Sequence, residues 1–287
     1  MLSQQVRRTL LGSIGDLLLD VVTVPVGELR AGDDTPSTVR VGGGGQAANF
    51  CGWVAALGEP ARLITRIGGD RIGRFLADEL REAGVDVRAV VGPERTGAIV
   101  VVVGPGGERS FATQRGATVQ LRPDEVDPSW LVDLRLLHVP AYSLFEEPLA
   151  SASQTAIAFV RARGGAIAVD LSSAAGIQKY GATRMIQVLE QIRPELLFAN
   201  ESEAAVLGGN LDHLARRAVL KRGARGCAVG DRSFPAPPVD VVDTTGAGDA
   251  FAAGFCVSYL RADDPAVAAE AAIRAAARAV TRLGGRP

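Results

Sequence analysis

The stretch Val241-Val242-Asp243-Thr244-Thr245-Gly246-Ala247-Gly248-Asp249-Ala250-Phe251 constrains this chain more than any other. A β-branched run gives way to two threonines and a Gly-Ala-Gly turn. Asp249 then opens an apolar segment reaching Tyr259, so the spacing predicts strand, tight turn and helix. Gly246 and Gly248 lack a Cβ, so the turn can take positive φ and lie close to a ligand. The first N–H groups of the helix have no intrahelical partner and carry the positive end of its dipole, which suits them to phosphate. A carboxylate at Asp249 fits such a site only if it faces a second reactant. It can then take a proton from an alcohol while the amides of Gly246, Ala247, Gly248 and Asp249 hold the phosphoryl group. An Asp after a glycine turn also serves as an ordinary helix N-cap, and spacing alone does not decide between the two.

A chain of 287 residues accommodates one α/β domain with a small appendage. Hydrophobic residues make up 47% and aromatics only 5%, which predicts a core of Ala, Val and Leu. A net charge of −1 gives no compositional case for nucleic acid or a membrane surface. Cys51, Cys227 and Cys256 form no CxxC pair and there are two histidines in all, which argues against zinc and fits a reducing compartment. No apolar run approaches the roughly 18 residues of a membrane span. Residues 1–9 carry no signal-peptide core, so a cytoplasmic location is expected.

Residues 8–14 read as a first strand, ending at Gly15-Asp16-Leu17-Leu18-Leu19-Asp20, whose aspartates also suit plain turn chemistry. Short β-rich pieces at 21–26 and 35–41, and a hairpin pairing 96–103 with 108–113 across Gly104-Pro105-Gly106-Gly107, predict a small sheet standing off the main body. Gly42, Gly44 and Ala47 satisfy the spacing of a dinucleotide-binding turn. That reading is weak, because the cluster follows a short charged piece and no acid ends the next strand at 61–67. Helices are expected at 46–57, at 70–84 with Ile72, Phe75, Leu76 and Leu80 on one face, at 148–163, and at 266–282 behind Asp264-Pro265. Further strands at 134–139, 166–170, 196–200 and 218–221 complete an alternation that predicts a doubly wound, mainly parallel sheet. His138 and His213 read as structural.

The segment Asp243-Thr244-Thr245-Gly246-Ala247-Gly248-Asp249 closely resembles the signature of the ribokinase-like (PfkB) carbohydrate kinases, and further family features follow in order along nearly the whole chain. The resemblance implies a single ribokinase-like α/β kinase domain over 1–287, with a β-sheet lid formed by about 16–41 and 96–115. It implies Asp249 as base and the turn amides as anion hole. Asp20, five residues after Gly15, takes the place of the aspartate that binds substrate hydroxyls, with Asp16 as its neighbour. Gly44 and Gly45 let a sugar approach the backbone, and Asn49 hydrogen-bonds one of its hydroxyls. Glu146 matches a glutamate that reaches the sugar in ribokinases, although a glutamate near a helix start is also favoured by the dipole alone.

Asn200 and Glu203 match the Asn-x-x-Glu motif associated with hydrated magnesium. Lys221, Gly223 and Gly226 match the Lys-x-Gly-x-x-Gly turn of the nucleotide site, which Thr245, Gly246 and Gly248 complete. Asp243 and Thr245 match two positions of a potassium site whose last ligand would fall past Pro287. Gly68, Asp70, Gly73 and Gly84-Val85-Asp86 match structural positions. After Asp170 the asparagine and arginine of many relatives are missing, which argues against an acidic sugar. The expectation is an ATP- and magnesium-dependent sugar kinase, dimeric through its lid, with a nucleoside kinase or a silent sugar- or nucleotide-binding regulator as alternatives. The lid offers a nucleoside base only Phe111, and Arg115 is its candidate substrate contact. Lid side chains choose the sugar, and no motif fixes them.

Overall fold

In the computed structural model, which describes residues 10–104 and 109–287, the first strand is β1 (Leu11–Ile14), buried along its whole length. Burial on both faces is what a parallel strand between two helical layers requires. Residues 8 and 9 of the expected strand, and 105–108 of the expected hairpin, lie outside the described residues. The chain continues through β2 (Leu18–Pro25), β3 (Ser37–Gly44), α1 (Gln46–Ala56), β4 (Ala61–Gly68), α2 (Arg71–Glu82), β5 (Val85–Gly92), β6 (Thr96–Val103) and β7 (Arg109–Gly116). Next come β8 (Leu136–Pro140), α3 (Tyr142–Phe145), α4 (Leu149–Ala162), β9 (Ala166–Asp170), α5 (Ala174–Tyr180), α6 (Ala182–Ile192), β10 (Leu196–Asn200) and α7 (Glu201–Val206). The remainder is β11 (Arg217–Lys221), β12 (Cys227–Val229), β13 (Arg232–Phe234), α8 (Ala247–Ala262) and α9 (Pro265–Val280).

Nine strands form one sheet in the order β13-β12-β11-β10-β9-β8-β1-β4-β5. From β11 to β5 all neighbours are parallel, whereas β12 and β13 pair antiparallel. β1 lies between β8 and β4, so the chain winds outward through β4 and β5 and later returns on the other side through β8 to β11. That reversal opens a crevice at the carboxyl ends of the strands, where open α/β sheets bind ligands. Helices α1, α2, α8 and α9 cover one face and α4 to α7 the other, each over its own apolar cluster. The core is mostly Ala, Leu and Val, as composition predicts. A Cβ on Gly254 of α8 would come within 2.9 Å of the Ala275 Cβ, so small residues set the close approach of α8 and α9.

The second sheet is four-stranded, ordered β3-β2-β6-β7, and shares no strand with the first. It reaches further than the sequence suggested: β3 runs through Gly42 and Gly43 to Gly44, which pairs with Leu18, and β7 ends at Gly116. The glycine cluster is therefore a strand end rather than a dinucleotide turn. One other expectation changes, and one element was not foreseen. In α2 the buried stripe is Gly73, Leu76, Ala77 and Leu80, and Phe75, one residue or roughly 100° off that line, is exposed along with Ile72. The hairpin β12–β13, turning at Gly230, had no clear signal because each strand has only three residues.

Candidate active site

Gly246 holds the left-handed conformation (φ 72°), and a Cβ there would meet the Gly285 carbonyl oxygen at 2.3 Å, so no other residue fits the turn. Helix α8 starts at Ala247, with Asp249 in its first turn. The strand expected at Val241-Val242 does not form. Both side chains are exposed, and the N–H groups of Val242 and Asp243 donate to the Val280 carbonyl at the end of α9, at 2.8 and 3.2 Å. With no strand edge available to them, these residues close the last turn of a helix instead.

Asp249 is buried, and its Oδ2 accepts from Asn49 Nδ2 at 2.8 Å. Burial raises its pKa to about 7, against the lowering effect of the Asn49 bond and of Lys221, while Asp170 and Asp20 add to the rise. Asp20 projects from β2 into the place where a Cβ of Gly44 would stand, 2.1 Å from that position. This is why residue 44 is glycine. Asp20 Oδ1 is buried without a hydrogen-bond partner, and burial raises the carboxyl to about 6, opposed by Arg286. Gly45 (φ 96°) bends the chain from β3 into α1, where a Cβ would strike the Asp16 carbonyl at 2.4 Å. Asp20, Gly44, Gly45, Asn49 and Asp249 are thus brought together at one place.

Arg115 is placed otherwise than as a free substrate contact. Its guanidinium is held by Asp16 at 3.0–3.2 Å and donates to the Tyr142 carbonyl at 2.9 Å, with Glu146 at 3.6 Å. Glu146 is 61% exposed and stands at the rim. His138 is buried, stacked on Phe50 at 4.0 Å and hydrogen-bonded to Ser13 at 2.9 Å.

On the other side of Asp249 the ends of β9, β10 and β11 bring Asp170, Asn200 and Lys221 together. Lys221 Nζ sits 2.8 and 3.0 Å from the two oxygens of the fully buried Asp170. Burial works against the ammonium, but Asp170, Glu203 and Asp249 outweigh it and its pKa stands above the ordinary value. A Cβ on Gly248 would lie 3.6 Å from the same Nζ, so Lys221 borders the glycine turn. Ser172, a non-glycine residue in the left-handed region (φ 65°), turns the chain so that its N–H meets Asp170 at 3.1 Å.

A cleft of about 640 Å³ opens beside this pair, lined by Lys221, Gly223, Gly226, Gly248, Phe251 and Ala276 among others, and it is mostly apolar. Gly226 (φ 85°) leaves no room for a Cβ, which would lie 1.9 Å from the Phe234 carbonyl. Asn200 and Glu203 form a reciprocal cap at the start of α7. Glu203 accepts from the Asn200 N–H and from Asn200 Nδ2, both at 2.8 Å, and burial raises its pKa.

Among the described residues no group of three or more His, Cys, Asp or Glu is placed to cage a metal. The oxygens of Asn200 and Glu203, already engaged with one another at the start of α7, suit contact with the waters of a hydrated magnesium rather than direct coordination. Asp243 accepts from Thr245 N and Oγ1 through Oδ1 and from Gly284 N through Oδ2, at 2.7–3.0 Å, so 284–285 close on the loop expected to hold potassium.

Sequence reasoning missed Asp170 as a site residue, although it ends a predicted strand at the carboxyl edge. It missed Arg286 altogether. Arg286 reaches Gly44, Asn49 and Glu79, each more than 200 residues away in sequence, and nothing local marks it.

A buried carboxylate beside a helix-start glycine turn, between an apolar cleft and a polar pocket, on a doubly wound sheet, is suited to moving a phosphoryl group onto an alcohol. The profile described as pfkB family carbohydrate kinase matches residues 8–287, and the chain belongs to that family. It is 32% identical to an ATP-dependent ribose-1-phosphate kinase of Halopiger xanaduensis, over 92% of this chain and 90% of that one. It is 31% identical to a fructokinase of Klebsiella pneumoniae, over 74% and 75% of the two chains. A putative ribokinase II from E. coli, solved in complex with ATP and magnesium, superposes with a TM-score of 0.84 at 27% identity, covering 96% of this chain and 94% of that one.

Proposed function

We propose that this chain transfers the γ-phosphate of ATP to a hydroxyl, in the first instance a primary one, of a small carbohydrate. The observation that carries this reading is the position of Asp249. One carboxylate, buried and with its pKa near 7, stands between the N–H groups that begin α8 and the pocket holding Asp20 and Asn49. Asp249 takes the hydroxyl proton, the freed oxygen attacks the γ-phosphorus in line, and the bond to the β-phosphate oxygen breaks to leave ADP. Phosphoryl transfer asks for little basicity ahead of its transition state, so a carboxylate of this pKa suffices. The amides of Gly246, Ala247, Gly248 and Asp249 stabilise the charge that develops on the transferred group.

Asp20, Gly44, Gly45 and Asn49 orient the sugar, with Glu146 at the rim. Lys221, Gly223, Gly226 and Gly248 border the nucleotide cleft, with Thr244 rather than the expected Thr245 and Ala247 rather than Gly246 on its wall. Magnesium, when bound, supplies charge neutralisation on the phosphates, and Asn200 and Glu203 would hold its waters. The loop at Asp243 and Thr245 is the place for potassium. The small sheet acts as a lid within a single domain, and the chain pairs through it with a second copy.

The test is ATP consumption by the purified protein across a panel of neutral sugars, sugar phosphates and nucleosides, with magnesium, with and without potassium, and with Asp249→Asn alongside. Expected is one strong substrate, with turnover falling about 10²–10⁴-fold in the variant while ATP still binds. Near-normal turnover in Asp249→Asn removes the assignment of the base. Silence across the panel with ATP bound favours a regulator.

A further inference from the structure

We propose that Arg286 is a positioning residue for the phosphoryl transfer, which fixes the amide of Asn49 so that its Nδ2 faces Asp249. The proposal rests on the reading of Asp249 as the base. Arg286 is 12% exposed and is surrounded by acceptors: Nη2 donates to the Gly44 carbonyl at 3.0 Å, Nη1 to Glu79 of α2 at 3.3 Å, and Nε reaches Asn49 Oδ1 at 3.4 Å. A guanidinium has only donors, so the oxygen end of the Asn49 amide is the end that can face it. The nitrogen end then points the other way, and there it donates to Asp249 Oδ2 at 2.8 Å.

The flipped amide would set N–H groups against the guanidinium and an oxygen against the carboxylate, two repulsive contacts in place of two attractive ones. Backbone packing holds the arrangement. A Cβ on Gly285 would meet Asn49 Nδ2 at 2.6 Å, and Trp53 Nε1 of α1 donates to the Gly285 carbonyl at 3.0 Å. Segment 284–287 therefore joins three parts of the site: the glycine turn through Gly246 against Gly285, the end of β3 through Gly44, and the base through Asn49. With Oδ2 engaged by Asn49, Asp249 presents Oδ1 to the acceptor hydroxyl.

The other charged groups that bear on Asp249 are Asp170 from β9, Lys221 from β11 and Asp20 from β2, and Arg286 in turn bears on Asp20. Loss of Arg286 frees the Asn49 amide to rotate and weakens the Asn49 hydrogen bond that favours the ionised base.

The variants are Arg286→Met, Arg286→Lys and Glu79→Gln, assayed for kcat against pH and for both KM values with the best substrate of the panel. Arg286→Met is expected to lower kcat about 10- to 100-fold, the cost of a misplaced catalytic group. It should also move the acid limb of kcat upward by about half a pH unit or more, with KM for ATP unchanged. Arg286→Lys, which keeps a cation with donors for Oδ1, should recover most of the rate and the wild-type limb. Glu79→Gln loosens Arg286 from outside the pocket and should shift kcat the same way by about 2- to 5-fold, which decides the matter should Arg286→Met fail to fold.

An unmoved kcat and acid limb in folded Arg286→Met, or in Glu79→Gln where Arg286→Met does not fold, overturns the proposal. A rise in sugar KM alone does so too, because it makes Arg286 a sugar contact. Asp249→Asn in the same assay separates the two failures. Turnover retained there overturns the base and with it this inference, whereas turnover lost there with Arg286→Met unaffected overturns this inference alone.

Discussion

Asp249 and Asp20 are carboxylates held where water would stabilise them better. Burial raises Asp249 to about 7 and Asp20 to about 6, from an ordinary 3.8. Below about pH 3 both groups are protonated in the folded and unfolded chain alike. As pH rises, the unfolded chain releases these protons first, so the folded state loses stability progressively until pH passes the folded values. Asp249→Asn should therefore be more stable than the parent at pH 8, and the difference should shrink to a small fraction near pH 4. Three pKa units, a shift that already includes the opposing Asn49 bond, set an upper bound of about 4 kcal/mol on the gain. The expected effect is a rise of several degrees in Tm. Thermal melts of the two proteins at pH 4 and pH 8 check it, and a less stable variant at pH 8 would mean that burial is not the dominant influence on Asp249. The identity of this residue was legible in the motif. Its state was not, because Asn49, Asp20, Asp170 and Lys221 come to it from four separate elements.

The turn that starts α8 contains two glycines with different duties, and sequence alone treats them alike. Gly246 is left-handed and packed against the Gly285 backbone, whereas the space at Gly248 is open to a methyl group, with Lys221 Nζ at an ordinary 3.6 Å. Gly246→Ala must shift a backbone, so Tm should fall by several degrees, and turnover should fall about 100-fold with the misplaced amides. Gly248→Ala should melt within about 2 °C of the parent, since it strains nothing, yet lose turnover because the methyl group projects toward Lys221 Nζ, into the space proposed for the phosphates. Melts and kcat for the pair separate the two, and equal melting temperatures would refute the distinction. Elements whose own periodicity defines them were legible in the sequence: β9 matches its expected bounds, and α1 and α4 match to within a residue or two at each end. Val241-Val242 misled because a β-branched pair signals extended backbone, and what that backbone pairs with depends on the end of α9, nearly 40 residues on.

At the scale of the whole molecule, two sheets meet along the crevice, and only one of them is covered on both faces. The strand–helix alternation made the larger sheet legible, because each of its elements buries its own stripe. The standing of the smaller sheet follows from a different pattern. Strand pairing sets Val41 of β3 and Val100 of β6 opposite Val21 on one face, with Val39 two residues along, and Val39, Val41 and Val100 are exposed at 56%, 63% and 39%. The opposite face carries Asp20 and Gly44. A sheet face of β-branched residues left to water, with β3 and β7 as open edges, is a surface that proteins cover. The proposed pairing of two copies through the lid predicts that this face is the one covered.

Val41→Lys puts a charge at the centre of that face, on the side of the sheet opposite Asp20 and outside the lining of the nucleotide cleft. Sedimentation equilibrium should show a dimer for the parent and a monomer for the variant. KM for the sugar should rise about 10-fold, the lid having lost its support, while KM for ATP stays within about twofold because the cleft is built wholly from the larger body. A monomeric parent protein, or a variant that stays dimeric, would show that the apolar face serves something other than self-association. A monomeric variant with unchanged sugar KM would show that each lid closes its crevice without help from its partner.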